Sequence, residues 1–235
     1  MIYIRFEWDE QNIRWFLDAS AYTGFHKTLA AIIAPYLVPG GTLCDAGCGL
    51  GRIDLELAPS VAELTAVDIC DNATGVLRRD AEATGKSNIH VVCGDALSLT
   101  DTFDVVLMSF FGKSAISDFL RLSRVRVIRV VSAENKSKLY PQIHRLHVKD
   151  TVPVVQENLT SQGIGFKLEQ HTIEFGQPLR SMSDAESYIL GNAPQASRRE
   201  VNGFLDEHLD HTGCDDFPYY LPNKKSLGVF VIDTK

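Results

Sequence analysis

Leu43-Cys-Asp-Ala-Gly-Cys-Gly-Leu-Gly51 runs a short apolar stretch into three alternating glycines, and a helical pattern follows at once. Residues 42–46 read as a buried strand and residues 50–58 as the helix after the turn. Glycines at 47, 49 and 51 let the backbone turn tightly and let a ligand approach the main chain. The start of a helix offers free N–H groups. A turn of this kind is compatible with a dinucleotide, another nucleotide or no ligand. Three acids narrow it. Asp45 lies two residues before Gly47, Asp68 closes the next apolar stretch, and Asp95 follows the third in Cys93-Gly-Asp-Ala96. All three fall at the carboxyl ends of expected neighbouring strands, where open α/β sheets bind ligands. An acid at the position of Asp68 suits both hydroxyls of a ribose. An acidic site suits a ligand with cationic groups and no phosphate.

Outward from that motif the chain alternates. Strands are expected at 42–46, 63–68, 88–93, 103–109 and 125–131, and helices at 50–58 and 72–84. Repeated β–α units with short loops build a doubly wound, mostly parallel sheet with helices on both faces, an α/β fold. The first 39 residues read as a helical cap. Asp9 caps a helix to about residue 20, with Ile13, Phe16 and Leu17 at helical spacing. A second helix at 23–36 stops at Pro39-Gly-Gly41. After residue 131 a helix is expected at 151–162 and strands at 166–175 and 225–233. Helices at 183–190 and 196–211 form an insertion (181–220) of the length of a lid or substrate cap. The expected organisation is one domain over 1–235. It has a helical cap (1–39), a cofactor-binding half (40–131) and a substrate-side half (132–235).

The segments LCDAGCGLG (43–51), LTAVD (64–68), CGDA (93–96) and FDVVLMSFF (103–111) resemble the class I S-adenosylmethionine (SAM)-dependent methyltransferases. The resemblance implies a Rossmann-like sheet of seven strands with the last one antiparallel. It implies that Asp45, Ala46, Gly47, Cys48, Gly49 and Gly51 hold the methionine part of SAM. Asp68 would bind the ribose, Asp95 and Ala96 would serve the adenine, and Ile69 belongs to the same cofactor-binding set. Ser109 and Phe110 would line the methyl-donor end. After transfer the product is S-adenosylhomocysteine (SAH). A dehydrogenase shares the first turn and Asp68 but not the alternating glycines with Asp45 and Asp95. Asp95 is also a possible helix cap.

The remaining candidates are weaker signals. Cys44, Cys48, Cys70 and Cys93 cluster near strand ends, but their spacing matches no zinc pattern, so no metal is expected. Trp8 and Trp15 suit core or cap anchors better than substrate stackers. The end of the fourth strand, Met108-Ser-Phe-Phe-Gly112, lacks the Asn/Asp-Pro-Pro-Tyr/Phe motif of relatives that methylate adenine or glutamine amides. His144 and His147, on one stretch after the fifth strand, are the candidate general bases. Tyr22, His26, Lys138 and Arg145 are candidates for the acceptor side.

Composition bounds the partners. The 235 residues are 45% hydrophobic and 23% charged, with a net charge of -7. Such a balance excludes a disordered or fibrous chain and disfavours duplex nucleic acid. The longest apolar run is too short for a bilayer. Five cysteines, an odd number, read as reduced thiols of a cytoplasmic protein. The charge is uneven: 1–111 is net -8, 112–149 is net +7 and 150–235 is net -6. Arg121, Arg124, Arg126 and Arg129 lead into the fifth strand and read as a solvated face or partner contact. Arg129, inside a buried strand, requires a carboxylate partner or a sheet edge. Lys136, Lys138, Arg145 and Lys149 follow that strand and suit an anionic substrate. The expected acceptor is therefore a small, anionic molecule. A protein or RNA methyltransferase and a non-catalytic SAM-binding protein are the alternatives. No pattern here speaks to oligomeric state.

Overall fold

The computed structural model describes residues 8–111, 116–135, 138–141 and 150–234. Two compact units emerge from it: 26–134 with 149–171 and 226–235, and 1–25 with 135–148 and 172–225.

The larger unit is built on a seven-stranded sheet. Its strands, in chain order, are β1 (Thr42–Ala46), β2 (Glu63–Asp68), β3 (Ile89–Cys93), β4 (Phe103–Ser109), β5 (Ser123–Ser132) and β6 (Lys167–Glu174). Three short strands of the smaller unit come next: β7 (Gln177–Leu179), β8 (Asp210–His211) and β9 (Tyr219–Leu221). The chain closes with β10 (Lys224–Asp233). The large sheet runs β3-β2-β1-β4-β5-β10-β6. The first five strands of that order are parallel, and β10 pairs antiparallel with β5. This is the Rossmann-like methyltransferase sheet that the resemblance implies, its order reversing beside β1. Leu43, Val106, Leu107, Val127 and Ile128 are fully buried in the central strands, as both-face coverage of a parallel sheet requires. Between strands run α3 (Arg52–Leu57) and α4 (Asp71–Ala83), after α1 (Glu10–Thr23) and α2 (Phe25–Ile33).

Later in the chain come a short α5 (Ser117–Leu120), α6 (Val152–Ser161), α7 (Met182–Asn192) and α8 (Arg198–His208). The smaller unit holds α1, α7, α8 and the sheet β7-β9-β8. Asp9 caps α1 by accepting from the Asn12 N–H at 2.7 Å, and Gly24, in the left-handed region, ends it. The deepest face of α1 is Trp15, Ala19 and Ser20, one step around from the expected stripe. Ile13, Phe16 and Leu17 are half-buried. Trp15 is a core anchor. It meets Tyr188 edge-on at 5.2 Å, donates to Asp184 Oδ1 at 2.9 Å and packs with Leu179, Ile189, Leu205 and Leu221. Ser181 caps α7, and Ser197 with Glu200 forms a capping box on α8. The sequence led us to expect only helices here. The three-stranded sheet is an addition, and strands of two or three residues leave no periodicity to read.

The arginines before and within β5 brace the larger unit. Arg129, 3% exposed, pairs with Asp150 at 2.5 Å, so the carboxylate partner is the answer for a strand that is not at an edge. Arg121 donates to the carbonyls of Leu97 and Leu99, and Arg126 pairs with Asp233 and reaches the Tyr36 carbonyl. Among the described residues no helix is long and apolar enough to cross a membrane.

Candidate functional site

The ends of β1, β2, β3 and β4 bring the expected cofactor residues to one side of the sheet. Gly47, Gly49 and Gly51 all adopt left-handed φ (78°, 53° and 64°). For two of them packing supplies a further reason. A Cβ at Gly47 would lie 1.9 Å from Phe111 Cδ2, and one at Gly51 2.3 Å from Leu77 Cδ1. Phe111, absent from the expected set, therefore closes over the turn.

The turn does not present its N–H groups as a bare helix start would. Gly47 and Cys48 both donate to the Val67 carbonyl, at 2.7 and 3.0 Å. Gly49 donates to Asp68 Oδ2 at 3.0 Å, and Gly51 to the Cys48 carbonyl. Four N–H groups of the turn are thus engaged, and the consequence is chemical. A pyrophosphate needs those N–H groups; here they are engaged within the protein. The one nearby cation in the sequence, Arg52, pairs instead with Asp80 at 2.7 Å.

Asp68 accepts one backbone N–H on each oxygen, from Gly49 and from Cys70 (2.9 Å). A carboxylate has about four acceptor positions, so two remain for a diol. Beside it Ile69 is 54% exposed, a large apolar side chain left open. Asp95 caps a short 3-10 turn (Ala96–Ser98), accepting from the Leu97 N–H at 2.9 Å through Oδ1. The capping role is thus present, and Ala96 beneath it is buried. At the end of β4, Ser109 leads into Phe110. Phe110, at φ 51°, is the one non-glycine residue with positive φ among those described. Such strain is costly for a bulky residue and clusters at functional sites.

Asp45 is buried, and its Oδ1 has no hydrogen-bond donor. Facing it is Asp54, on the first turn of α3 and fully buried, with neither oxygen satisfied. Burial pushes both carboxyls upward, Asp54 to about 7 against the lowering effect of its contact with Asp45, and Asp45 well above the usual range with Asp54 adding to the rise. Asp54 was not anticipated. In Arg52-Ile-Asp-Leu-Glu-Leu57 it resembles any acid of an amphipathic helix. The signal available was its position, one residue from Ile53 on the face that the sheet must cover.

The acceptor-side candidates are divided between the two units, and several lie outside the described residues. His26 lies half-buried on α2 in the larger unit. Tyr22 belongs to the smaller unit, 43% exposed against Phe217 and Tyr220. Lys138, in the same unit, is exposed, and its backbone N–H donates to Asn223 Oδ1. His144, Arg145 and His147, with Lys136 and Lys149, lie outside the described residues.

Residues 43–129 match the family model described as "Methyltransferase domain". That stretch, a little over a third of the chain, is similar to a methyltransferase domain. The domain starts at β1 and ends within β5, so it contains all four strand ends of the site. A tRNA (uracil-5-)-methyltransferase homolog A of Mus musculus is 37% identical over 60 residues, 26% of this chain. The chain spans only 10% of that mouse protein. The YcgJ protein of Bacillus subtilis shares the fold at TM-score 0.55 and 17% identity, over 88% of this chain and 98% of its own. Magnesium protoporphyrin IX methyltransferase of Synechocystis, solved with SAM, aligns at TM-score 0.53 and 15% identity, over 97% of this chain and 86% of its own.

The cofactor of such a domain is S-adenosylmethionine, and the residues present fit it. An orphaned buried carboxylate oxygen, a half-satisfied Asp68 and committed turn N–H groups suit a cationic, phosphate-free nucleoside. Among the described residues no three metal-ligating side chains gather.

Proposed function

We propose that this protein transfers the methyl group of SAM to a small, anionic acceptor in the cytoplasm. The observation that carries the cofactor side is the acid-lined turn whose N–H groups are already engaged. In this reading the stretch from Asp45 through Gly51 holds the methionine part, and Asp68 takes the ribose hydroxyls. Ile69 covers the adenine, Asp95 accepts from its amino group through Oδ2, and Ala96 floors it. Ser109 and the strained Phe110 set the methyl-donor end. Both units act as one enzyme, and the smaller one contributes the acceptor candidates Tyr22 and Lys138.

SAM supplies an electrophilic methyl on a sulfonium. The protein's share is alignment and the exclusion of water, which supplies roughly 7–11 kcal/mol in well-oriented reactions. His144 and His147 are the residues we assign to take the acceptor's proton. The basic run 136–149 supports an anionic acceptor, because the arginines before it are engaged in bracing the sheet. Lys138→Ala and Arg145→Ala should raise KM about 3–10-fold, the effect shrinking as salt screens the charge. Unchanged kinetics would remove the anionic acceptor. The match to the mouse tRNA enzyme favours a second reading, an RNA acceptor. Labelled SAM offered to metabolite and RNA pools separates the two, and tight SAM binding with no transfer would make the protein a sensor.

A further inference from the structure

Asp45 and Asp54 make one buried contact, carboxyl against carboxyl, between the end of β1 and the first turn of α3. Asp45 Oδ1 and both Asp54 oxygens are shut from solvent and receive no N–H or O–H from any described residue. Two carboxylates cannot both stay ionised in such a contact, so at least one proton bridges them. The other groups facing the pair do not relieve it. Asp68 adds negative charge, and the Cys44 and Cys48 thiols are pushed up by burial and remain neutral. Arg52, two residues before Asp54, is turned to Asp80.

We propose that Asp54 is a positioning residue for the cofactor's methionyl ammonium: it holds the shared proton and donates it to Asp45, so that Asp45 meets the ammonium as a single, hydrogen-bonded carboxylate. The balance is simple. In the free protein the proton lies between the two carboxyls. When a cation sits against Asp45, the proton rests on Asp54 and the Asp45 lone pair turns to the ammonium. Once the pair holds a single proton, none leaves on binding and the net charge stays at minus one; at lower pH, where the pair holds two, one must first be lost. Without a donor at position 54, Asp45 is an isolated acid in a dry pocket and stays protonated. An Asn at that position keeps a donor and loses only the proton.

The proposal rests on SAM being the cofactor, and its test keeps the two apart. Calorimetry is run from pH 6 to 9 with SAM, with SAH and with methylthioadenosine, which lacks the amino-acid part. The wild-type protein should bind SAM more tightly as pH rises and Asp45 ionises. Asp54→Leu should weaken SAM and SAH at pH 7 by about 10-fold or more, the range of a lost charged hydrogen bond, and move the midpoint of the pH profile upward. Asp54→Asn should restore both to within about 3-fold, and methylthioadenosine should bind all three proteins alike, because its contacts exclude the ammonium. Wild-type SAM affinity in Asp54→Leu overturns the proposal. So does an Asp54→Asn protein as weak as Asp54→Leu, or an equal loss for methylthioadenosine, which marks a merely structural role. If the wild-type protein binds no SAM at any pH, the cofactor assignment itself fails.

Discussion

The two ends of the central sheet treat carboxylates in opposite ways. At the amino end Asp104, at the start of β4, accepts from the Thr42 N–H at 2.8 Å and from Arg124 Nε at 3.0 Å. Arg124 also donates to Thr102 and to Thr42 Oγ1, closing a network across β1 and β4. The Arg124 hydrogen bond, with that of Thr42, holds the Asp104 carboxyl below its ordinary range. At the carboxyl end Asp45 and Asp54 have only each other, and burial drives both upward. One end has acids whose partners are built in. The other has acids whose partner must arrive, and a site that stores unsatisfied charge is one that a cationic ligand can complete.

The contrast predicts opposite pH dependence. For Asp54, the folded value of about 7 lies above the unfolded value of 3.8, so the native state keeps protons that the unfolded chain has lost. Stability from the pair is then full below about pH 4 and falls as pH rises toward 7, by up to ~1.4 kcal/mol per pH unit for each retained proton. Urea unfolding of the SAM-free protein from pH 5 to 7.5 should show this decline, and Asp54→Asn should show a shallower one. A flat wild-type profile would mean that the pair is not protonated. Asp104 has the reverse sign. Its folded value is lowered, so its contribution is present above pH 4 and is lost only as pH falls further. Asp104→Ala should cost about 1 kcal/mol at neutral pH, less than a fully buried charged bond because the pair is partly exposed. Its SAM affinity should equal that of the wild type. A loss of SAM binding there would dissolve the distinction between the two ends.

Much of this was legible in the chain. The strands announce themselves as Val, Ile and Leu runs bounded by breakers, because a parallel sheet is buried on both faces. Their carboxyl-end acids follow from the topology alone. Asp54 was hidden because its partner is nine residues earlier on another element, and a contact is not a pattern. The engaged state of the turn's N–H groups was hidden for the same reason, since it depends on Val67 and Asp68 of the neighbouring strand. The +7 island misled in part. Charge counts do not show that Arg121, Arg124, Arg126 and Arg129 are already bonded to carbonyls and carboxylates. The buried face of α1 was missed by one residue because Trp15 packs against Tyr188 of α7, whose position the helix's own sequence does not encode.

The central claim is that the acid-lined end of the sheet is the SAM site, with Asp68 reserving two acceptor positions for a ribose. Titration calorimetry of SAM into the wild-type protein and into Asp68→Ala tests it directly. The account predicts binding that weakens by ~1–3 kcal/mol in the variant, the range of lost charged hydrogen bonds. Equal affinity in both proteins, or a preference for NAD over SAM, would contradict it.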